Sequence, residues 1–212
     1  MKIVLNILKA FLINISFIGI IFASNSCPSI SPHEAQDSPV EQAEAILGDI
    51  LCSFIELHTE GNNTFYSALS LTKKKIIPYI DLEYSTELAL GDYWAQLQPM
   101  DKKIFERDIK KSLIEDYVNI LTNLQFWNQI NTSVDKNFTQ QNNLAEVTVL
   151  ISLENENASA AVTLKMIRKD RWRVYDLVFQ SISIIDIEKI GYDSKIKRQG
   201  LKQLLQNLLK RT

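Results

Sequence analysis

Apolar residues recur every three or four positions along much of the chain up to residue 124, which is the pattern of amphipathic helices. Gly61 ends the first of these patterns, and Pro78 ends the second because proline disfavours helical geometry in the residue before it. Pro99 opens the longest pattern, since proline is favoured in the first turn of a helix. The predicted helices cover residues 40–58, about 64–77, about 83–90 and 99–124.

Beyond residue 124 the apolar period shortens to two, which is typical of β-strands. The second and third alternating segments flank the polar residues 155–157, so we expect them to form an antiparallel hairpin. The fourth segment changes phase near Asp176, which indicates a β-bulge there or burial of both strand faces. The predicted strands cover about 126–134, 147–153, 162–166 and 171–181.

A closing helix is predicted over about 193–211, where Ile196, Leu201 and Leu205 share one apolar face. N-terminal helices, then a four-stranded curved antiparallel sheet, then a C-terminal helix make an α+β domain. A curved sheet wrapped around helices forms a cone, and a cone can be hollow. We therefore expect a hydrophobic pocket between the sheet and the helices.

The N-terminal residues 1–26 have the pattern of a secretory signal peptide. Lys2 and Lys9 precede an apolar run that ends in small residues up to Ser26. The uninterrupted apolar run is well short of the roughly 20 residues that a membrane-spanning helix needs. We expect export and cleavage after Ser26, which leaves residues 27–39 as an irregular leader and residues 40–212 as a single domain.

The chain has two cysteines, Cys27 and Cys52, whose state the sequence leaves open. Cleavage after Ser26 makes Cys27 the first mature residue, where a bacterial lipoprotein carries its lipid. Ser24, however, stands where a lipoprotein signal has a large aliphatic residue. In an oxidising compartment Cys27 could instead pair with Cys52, or Cys52 could remain a small buried thiol.

Charge and histidine content argue against nucleic-acid and metal binding. The net charge of −2 gives no basic surplus for a nucleic-acid partner. His33 and His58 do not stand at metal-ligand spacing from each other or from a cysteine. We therefore expect no metal site, no nucleic-acid partner and no cofactor.

Two pairs of carboxylates could in principle act as general acid and base. Asp81 with Glu83 and Asp186 with Glu188 lie two positions apart, although capping of a helix start or exposed charge is the commoner role for such residues. The sequence contains neither a glycine-rich phosphate loop nor a Gly-x-Ser-x-Gly motif. We expect a protein with no catalytic residues, and an unrecognised hydrolase or isomerase is the alternative.

Three blocks of local sequence carry a family resemblance. They are Ile76-Ile77-Pro78-Tyr79-Ile80-Asp81 followed by Leu90-Gly91-Asp92-Tyr93-Trp94, then Trp172-Arg173-Val174-Tyr175-Asp176-Leu177-Val178, and then Ile196-Lys197-Arg198-Gln199-Gly200-Leu201. In this order they resemble the MlaC, or toluene-tolerance, family of periplasmic phospholipid-binding proteins over about residues 70–210. One departure is Ser181, where the family usually has glycine.

The resemblance implies a cystatin-like cone that carries phospholipid through the periplasm as part of an outer-membrane lipid asymmetry pathway. It implies exchange of lipid with an inner-membrane lipid ABC transporter complex and an outer-membrane lipoprotein complex. The alternatives are a carrier of another hydrophobic ligand and a surface-anchored lipoprotein that acts through protein contacts. On the carrier hypothesis, the acyl chains contact the inward strand faces and the longest helix at Val147, Val149, Ile151, Val162, Leu164, Met166, Tyr117 and Leu121.

Overall fold

The computed structural model describes residues 37–59, 64–123, 130–153 and 159–210, so the predicted signal peptide and most of the leader lie outside the described residues. The helices are α1 (Pro39–Thr59), α2 (Phe65–Leu71), α3 (Leu82–Leu90), α4 (Pro99–Asn123), α5 (Ile184–Gln199) and α6 (Leu201–Leu209). The strands are β1 (Ile130–Gln141), β2 (Leu144–Leu153), β3 (Ser159–Arg168), β4 (Trp172–Phe179) and β5 (Ile182–Ser183). The α+β class predicted from the sequence is confirmed.

The described strands form one antiparallel sheet in the order β1-β2-β3-β4-β5, so each strand pairs with its neighbours along the chain. The predicted hairpin is confirmed, since Val147 lies opposite Leu164 and Val149 opposite Val162. The predicted bulge is also present, because Lys165 pairs with Asp176 while Met166 pairs with Val174. The prediction of four strands was one short. A two-residue strand such as β5 is too short to show an alternating pattern.

The turn between β4 and β5 contains two residues with strained backbone conformations. Gln180 and Ser181 both have positive φ angles, 48° and 63°. This left-handed region costs an L-residue about 1 kcal/mol or more relative to glycine. Ser181 is the position noted above as a departure from the glycine of the family that the sequence resembles, and glycine adopts this φ angle without strain.

Replacing this serine provides the first prediction. We expect Ser181→Gly to raise the free energy of unfolding by about 1 kcal/mol, because glycine adopts the positive φ angle without strain. Urea denaturation of the two proteins measures the difference. A loss of stability in the glycine variant would contradict the role assigned to the turn.

The predicted helical stretch over about 64–77 is confirmed, but it is not one α-helix and it does not stop at Ile77. Helix α2 ends at Leu71 and is followed by a π-helical turn, Thr72–Ile76, and a 3-10 turn, Ile77–Tyr79. Pro78 lies in the first turn of the 3-10 segment, where its missing N–H leaves no hydrogen bond unmade. Helical geometry therefore continues past Pro78, but in a tighter form.

The predicted closing helix over 193–211 was also wrong in its start and continuity. Helix α5 already begins at Ile184, after Ser183, whose hydroxyl oxygen accepts a hydrogen bond from the backbone N–H of Asp186 at 3.0 Å. Gly200 has a φ angle of 81° and separates α5 from α6. A positive φ is accessible to glycine at little cost, so the chain turns a corner where we expected a continuous helix.

Buried side chains form three apolar clusters. The sheet cluster joins α1 to the inward face of the sheet through Val40, Ala43, Ile46, Tyr79, Ala145, Val147, Val149, Leu164, Met166, Trp172 and Val174. The helix cluster joins the four helices α3, α4, α5 and α6 and includes Leu90, Trp94, Phe105, Ile109, Tyr192 and Leu204. The α2 cluster joins α1, α2 and α4 through Phe54, Ala68, Leu71, Ile76, Val118 and Leu121.

Cys52, on α1, is in a disulfide. We expect Cys27, the other cysteine of the chain, to be its partner, although Cys27 lies outside the described residues. Freshly isolated protein, denatured without reductant, should then take up no thiol reagent. Reduction should lower the free energy of unfolding by about 3 kcal/mol, since a cross-link restricts the unfolded chain. Labelling of both cysteines before reduction would contradict the pairing.

Candidate functional site

The three clusters meet along a line of apolar side chains that keep accessible surface. Ile50 packs against both the sheet cluster and the α2 cluster. Ile80, Ile114 and Tyr117 pack against both the helix cluster and the α2 cluster. None of these four residues, which we call the seam, is fully buried. The seam therefore joins the three clusters through apolar side chains that keep part of their surface accessible.

Tyr117 shows that the seam extends deep into the molecule. Burial raises the pKa of its hydroxyl well above the ordinary range, and the negative charges of Asp116 and Asp176 add to this effect. Asp176 lies in β4, so the hydroxyl of Tyr117 is close enough to the sheet to be influenced by it. The side chain nevertheless keeps accessible surface. Tyr117 is therefore the seam residue that lies nearest to both a charged group of the sheet and the helices, while part of its surface stays accessible.

On the sheet side, the same kind of partly accessible apolar residue faces inward. Ile151, Val162 and Leu177 pack against the sheet cluster without being fully buried, as does Val134 of β1. Val162 lies opposite Val149 in the hairpin, and Leu177 lies opposite Leu164. These residues lie on the sheet cluster, against which Ile50 of the seam also packs.

The structure places the eight predicted lipid-contact residues in different clusters. Val147, Val149, Leu164 and Met166 are buried within the sheet cluster and are packed together with α1, whereas Ile151 and Val162 keep accessible surface beside them. Tyr117 lies on the seam, and Leu121 is buried in the α2 cluster. The sheet residues thus come together as predicted from their spacing, while Leu121 belongs to a neighbouring cluster.

A polar contact that the sequence did not reveal ties α1 to the segment after α2. The ammonium of Lys75 lies 2.8 Å from Asp49 Oδ1, and the hydroxyl of Tyr79 donates a hydrogen bond to Asp49 Oδ2 at 3.1 Å. Asp49 stands in an apolar helical pattern, and its partners are 26 and 30 residues away along the chain. No local spacing rule predicts such a contact.

Asp81 and Glu83, considered above as a possible acid and base, both contact the ammonium of Lys169, at 3.0 and 3.3 Å. Asp81 also caps α3, since its carboxylate accepts a hydrogen bond from the backbone N–H of Tyr84 at 3.0 Å. Its own N–H donates to the carbonyl oxygen of Val174 at 2.8 Å. These contacts assign Asp81 to the start of α3 and to its attachment to the sheet.

The second pair, Asp186 and Glu188, is likewise engaged in the packing of α5. Asp186 lies in the first turn of α5, and Glu188 accepts a hydrogen bond from Ser112 of α4 at 2.7 Å. A third carboxylate, Asp176, holds the same helix start: it accepts from the hydroxyl of Ser183 at 2.7 Å and from the N–H of Ile185 at 3.1 Å. Lys165 lies 3.4 Å from it. Asp176 therefore fixes α5 against the bulge in β4.

A small cavity of about 130 Å³ lies apart from the seam, between α5 and α6, lined by Lys195, Arg198, Gln199, Leu204, Asn207 and Leu208. Pockets for small ligands usually begin near 300 Å³, so the seam is the better candidate for an apolar ligand. Within the described ranges, no helix is long and apolar enough to cross a membrane, and no three potential metal ligands cluster together. His33 lies outside the described residues.

Buried tyrosines provide a pH prediction. Burial raises the pKa of four hydroxyls above their usual value of 10.0, to about 12 for Tyr175. The other three hydroxyls with a raised pKa are those of Tyr79, Tyr117 and Tyr192. Because the folded pKa values exceed the unfolded value, the stability that these groups contribute is complete below pH 10 and is lost as the pH rises further.

We therefore expect the free energy of unfolding to fall steeply between pH 10 and about pH 12. Chemical denaturation at a series of pH values measures this fall. Tyr192→Phe should flatten it, since the Tyr192 hydroxyl is buried and donates to Asp108 at 2.9 Å. Stability that is independent of pH in this window would contradict the prediction.

The fold and the seam define an α+β domain whose interior keeps accessible apolar surface between a meandering sheet and a layer of helices. The chain belongs to the MlaC protein family, whose profile matches residues 59–210. The resemblance noted in the sequence is thereby confirmed.

Two similar proteins illustrate the match. The intermembrane phospholipid transport system binding protein MlaC of Haemophilus influenzae is 22% identical over 139 residues, which are 64% of this chain and 64% of that protein. The chain thus spans slightly less than two thirds of that relative's length. The solved structure of the phospholipid-binding protein from Ralstonia solanacearum, in complex with a phospholipid, superposes with a TM-score of 0.66. It is 22% identical, with coverage of 81% of this chain and 95% of that chain.

Proposed function

We propose that this protein is a phospholipid carrier that holds the acyl chains of its ligand along the seam. The observation that carries the proposal is the line of partly accessible apolar side chains where three clusters meet, Ile50, Ile80, Ile114 and Tyr117. Membership of the MlaC family and the names of the two similar proteins support a phospholipid as the ligand.

The need for such a carrier follows from hydrophobic hydration. Each methylene removed from water contributes about 0.8 kcal/mol, so two acyl chains exposed in an aqueous compartment cost on the order of 20 kcal/mol. A protein interior lined by branched aliphatic side chains offsets this cost. The polar headgroup can remain in water, so no charged pocket is required for it.

The contact residues on this proposal are those predicted from the sequence, with distinct positions. Ile151, Val162 and Tyr117 border the accessible space, and Val147, Val149, Leu164, Met166 and Leu121 form the buried layers behind it. Entry of two acyl chains requires the clusters to part along the seam, where apolar side chains already keep accessible surface. The hydroxyl of Tyr117, which has no hydrogen-bond partner among the described residues, is available to an ester oxygen of the ligand.

The carrier acts in the periplasm on this proposal, after removal of residues 1–26. The export pattern of the N-terminus and the disulfide of Cys52 both support an oxidising compartment outside the cytoplasm. A Cys27 that pairs with Cys52 cannot also carry a lipid on its sulfur, which favours a free carrier over a lipoprotein. The partners proposed are an inner-membrane lipid ABC transporter complex and an outer-membrane lipoprotein complex.

The ligand can be identified directly. Protein purified from a bacterial periplasm without detergent is extracted and analysed by mass spectrometry. We expect intact phospholipid at close to one molecule per chain, with no product of lipid hydrolysis, because a carrier does not alter its cargo. A sterol-like or aromatic molecule would establish a carrier of another kind, and an extract without any hydrophobic ligand would contradict the proposal.

A further inference from the structure

The outer face of α2 and of the π-helical turn after it carries two exposed aromatic residues followed by exposed lysines. Phe65 is 57% exposed and Tyr66 is 80% exposed, and their rings meet edge to face with centroids 5.8 Å apart. Lys73 and Lys74 are exposed about two helical turns further on. We call these four residues the α2 patch.

The patch is the surface left outside when α2 packs onto the protein. Ala68, Leu71, Thr72 and Ile76 are buried on the inner side, with Ala68, Leu71 and Ile76 in the α2 cluster. Phe65 and Tyr66 are the first two residues of α2, where both remain largely in solvent. More than half of the surface of each aromatic residue stays accessible, so apolar surface remains available to a partner.

The lysines of the patch, like Lys197 and Lys202 among the described residues, are not engaged by a carboxylate, whereas several other basic residues are. Lys75 is held by Asp49 at 2.8 Å, Lys103 by Glu106 at 2.8 Å, and Lys102 lies 4.4 Å from the ring centre of Trp94. Within the described part of the chain, Lys73 and Lys74 form neither an ion pair nor a ring contact. Their charges are therefore not neutralised locally.

We propose that the α2 patch docks the protein onto the surface of a bilayer that contains anionic phospholipids. Tyrosine and phenylalanine settle at the level of the headgroups, where an apolar ring and a polar edge are both accommodated. Each lysine near an anionic membrane surface contributes about 1 kcal/mol, or about a fivefold gain in binding. The chain as a whole is negative, at −2, so attraction to an anionic surface has to be local. The exposed aromatic pair distinguishes the α2 patch from other exposed lysines such as Lys197 and Lys202, and this pair sets the orientation.

That orientation brings the seam towards the membrane. The α2 cluster beneath the patch is the one against which Ile80, Ile114 and Tyr117 of the seam also pack. A protein docked through α2 thus presents the helical wall of the seam on the membrane side. This consequence for lipid exchange rests on the proposed carrier function, whereas the docking itself does not.

Vesicle co-sedimentation tests the docking. The full-length mature protein is mixed with vesicles of phosphatidylglycerol and phosphatidylethanolamine, or with vesicles of phosphatidylcholine alone. We expect binding to the anionic vesicles that weakens with added salt. Lys73→Glu combined with Lys74→Glu should lower it about 30-fold. Phe65→Ser combined with Tyr66→Ser should lower it about tenfold by removing the apolar contact.

The matched control is Lys197→Glu with Lys202→Glu, which makes the same charge change at exposed positions on α5 and α6. These substitutions should leave vesicle binding within about threefold of the wild type, apart from the general effect of net charge. Equal binding to both kinds of vesicle, unchanged binding by the patch variants, or an equal loss in the control would overturn the proposal. A patch that takes a protein partner instead gives no vesicle binding at all.

The lipid content of every variant is measured in parallel, so that the two proposals fail separately. Patch variants that lose vesicle binding but retain their co-purified phospholipid support docking as a distinct property. A wild type that binds vesicles yet carries no lipid would refute the carrier function and leave the docking surface in place. Circular dichroism of each variant establishes that the helices are intact.

Discussion

Val162→Trp is expected to remove at least nine tenths of the co-purified phospholipid while the protein remains folded. Val162 faces inward from β3 and keeps accessible surface beside the seam. An indole ring at this position fills the space proposed for the acyl chains instead of compressing a closed core. Mass spectrometry of extracted lipid gives the occupancy, and thermal denaturation shows whether the fold is retained.

Two tryptophan substitutions nearby serve as controls. Ala161, the preceding residue, is exposed on the other face of β3, so Ala161→Trp should change neither lipid content nor stability. Val149, opposite Val162 in the hairpin, is only 1% exposed, so Val149→Trp should destabilise the protein by about 1 to 3 kcal/mol through overpacking. Full lipid occupancy in Val162→Trp would place the acyl chains elsewhere and contradict the proposed site.

The second large effect concerns Asp176, whose replacement by alanine is expected to lower the free energy of unfolding by about 3 kcal/mol. Its side chain is 3% exposed and accepts hydrogen bonds from Ser183 and from the N–H of Ile185. Removing the carboxylate leaves both donors unpaired in a buried place. It also removes the charge partner of Lys165, 3.4 Å away.

Asp186→Ala is the matched control for this substitution. Asp186 is an exposed carboxylate in the first turn of the same helix, where it interacts favourably with the helix N-terminus. Its loss should cost less than about 1 kcal/mol. Urea denaturation of the two variants compares them directly, and equal losses would show that burial of Asp176 adds nothing to its role.

Much of the architecture could be predicted from periodicity because burial is the main local constraint on sequence. The alternation of Val147, Val149 and Ile151 fixes which face of β2 turns inward, and the structure has that face in the sheet cluster. The phase change near Asp176 similarly predicted the bulge, since an extra residue inverts the alternation. The three blocks of local sequence indicated the family for a related reason, because some of their residues have structural roles. Asp81, for example, caps the start of α3.

The remaining features depend on geometry that local patterns do not record. The turn with positive φ angles at Gln180 and Ser181, and therefore β5, contains no glycine to signal it. Gly200 stands inside an apolar helical pattern, which conceals the corner between α5 and α6. Of the four seam residues, only Tyr117 was among the residues predicted from the sequence. Ile50, Ile80 and Ile114 were missed, because which apolar residues keep accessible surface depends on how the helices pack and not on local spacing.

The separation along the chain between α1 and the strands it covers has a consequence for folding. Each strand pairs with its neighbour in sequence, whereas Asp37, just before α1, meets Arg168 across 131 residues. Contacts of such long range are made late, since the chain entropy of closing the loop must first be overcome. During synthesis from the N-terminus, the apolar face of α1 with Val40, Ala43 and Ile46 emerges well before β3 and β4 exist. We expect this apolar face to stay exposed until the sheet forms, which makes α1 one segment that a chaperone could protect.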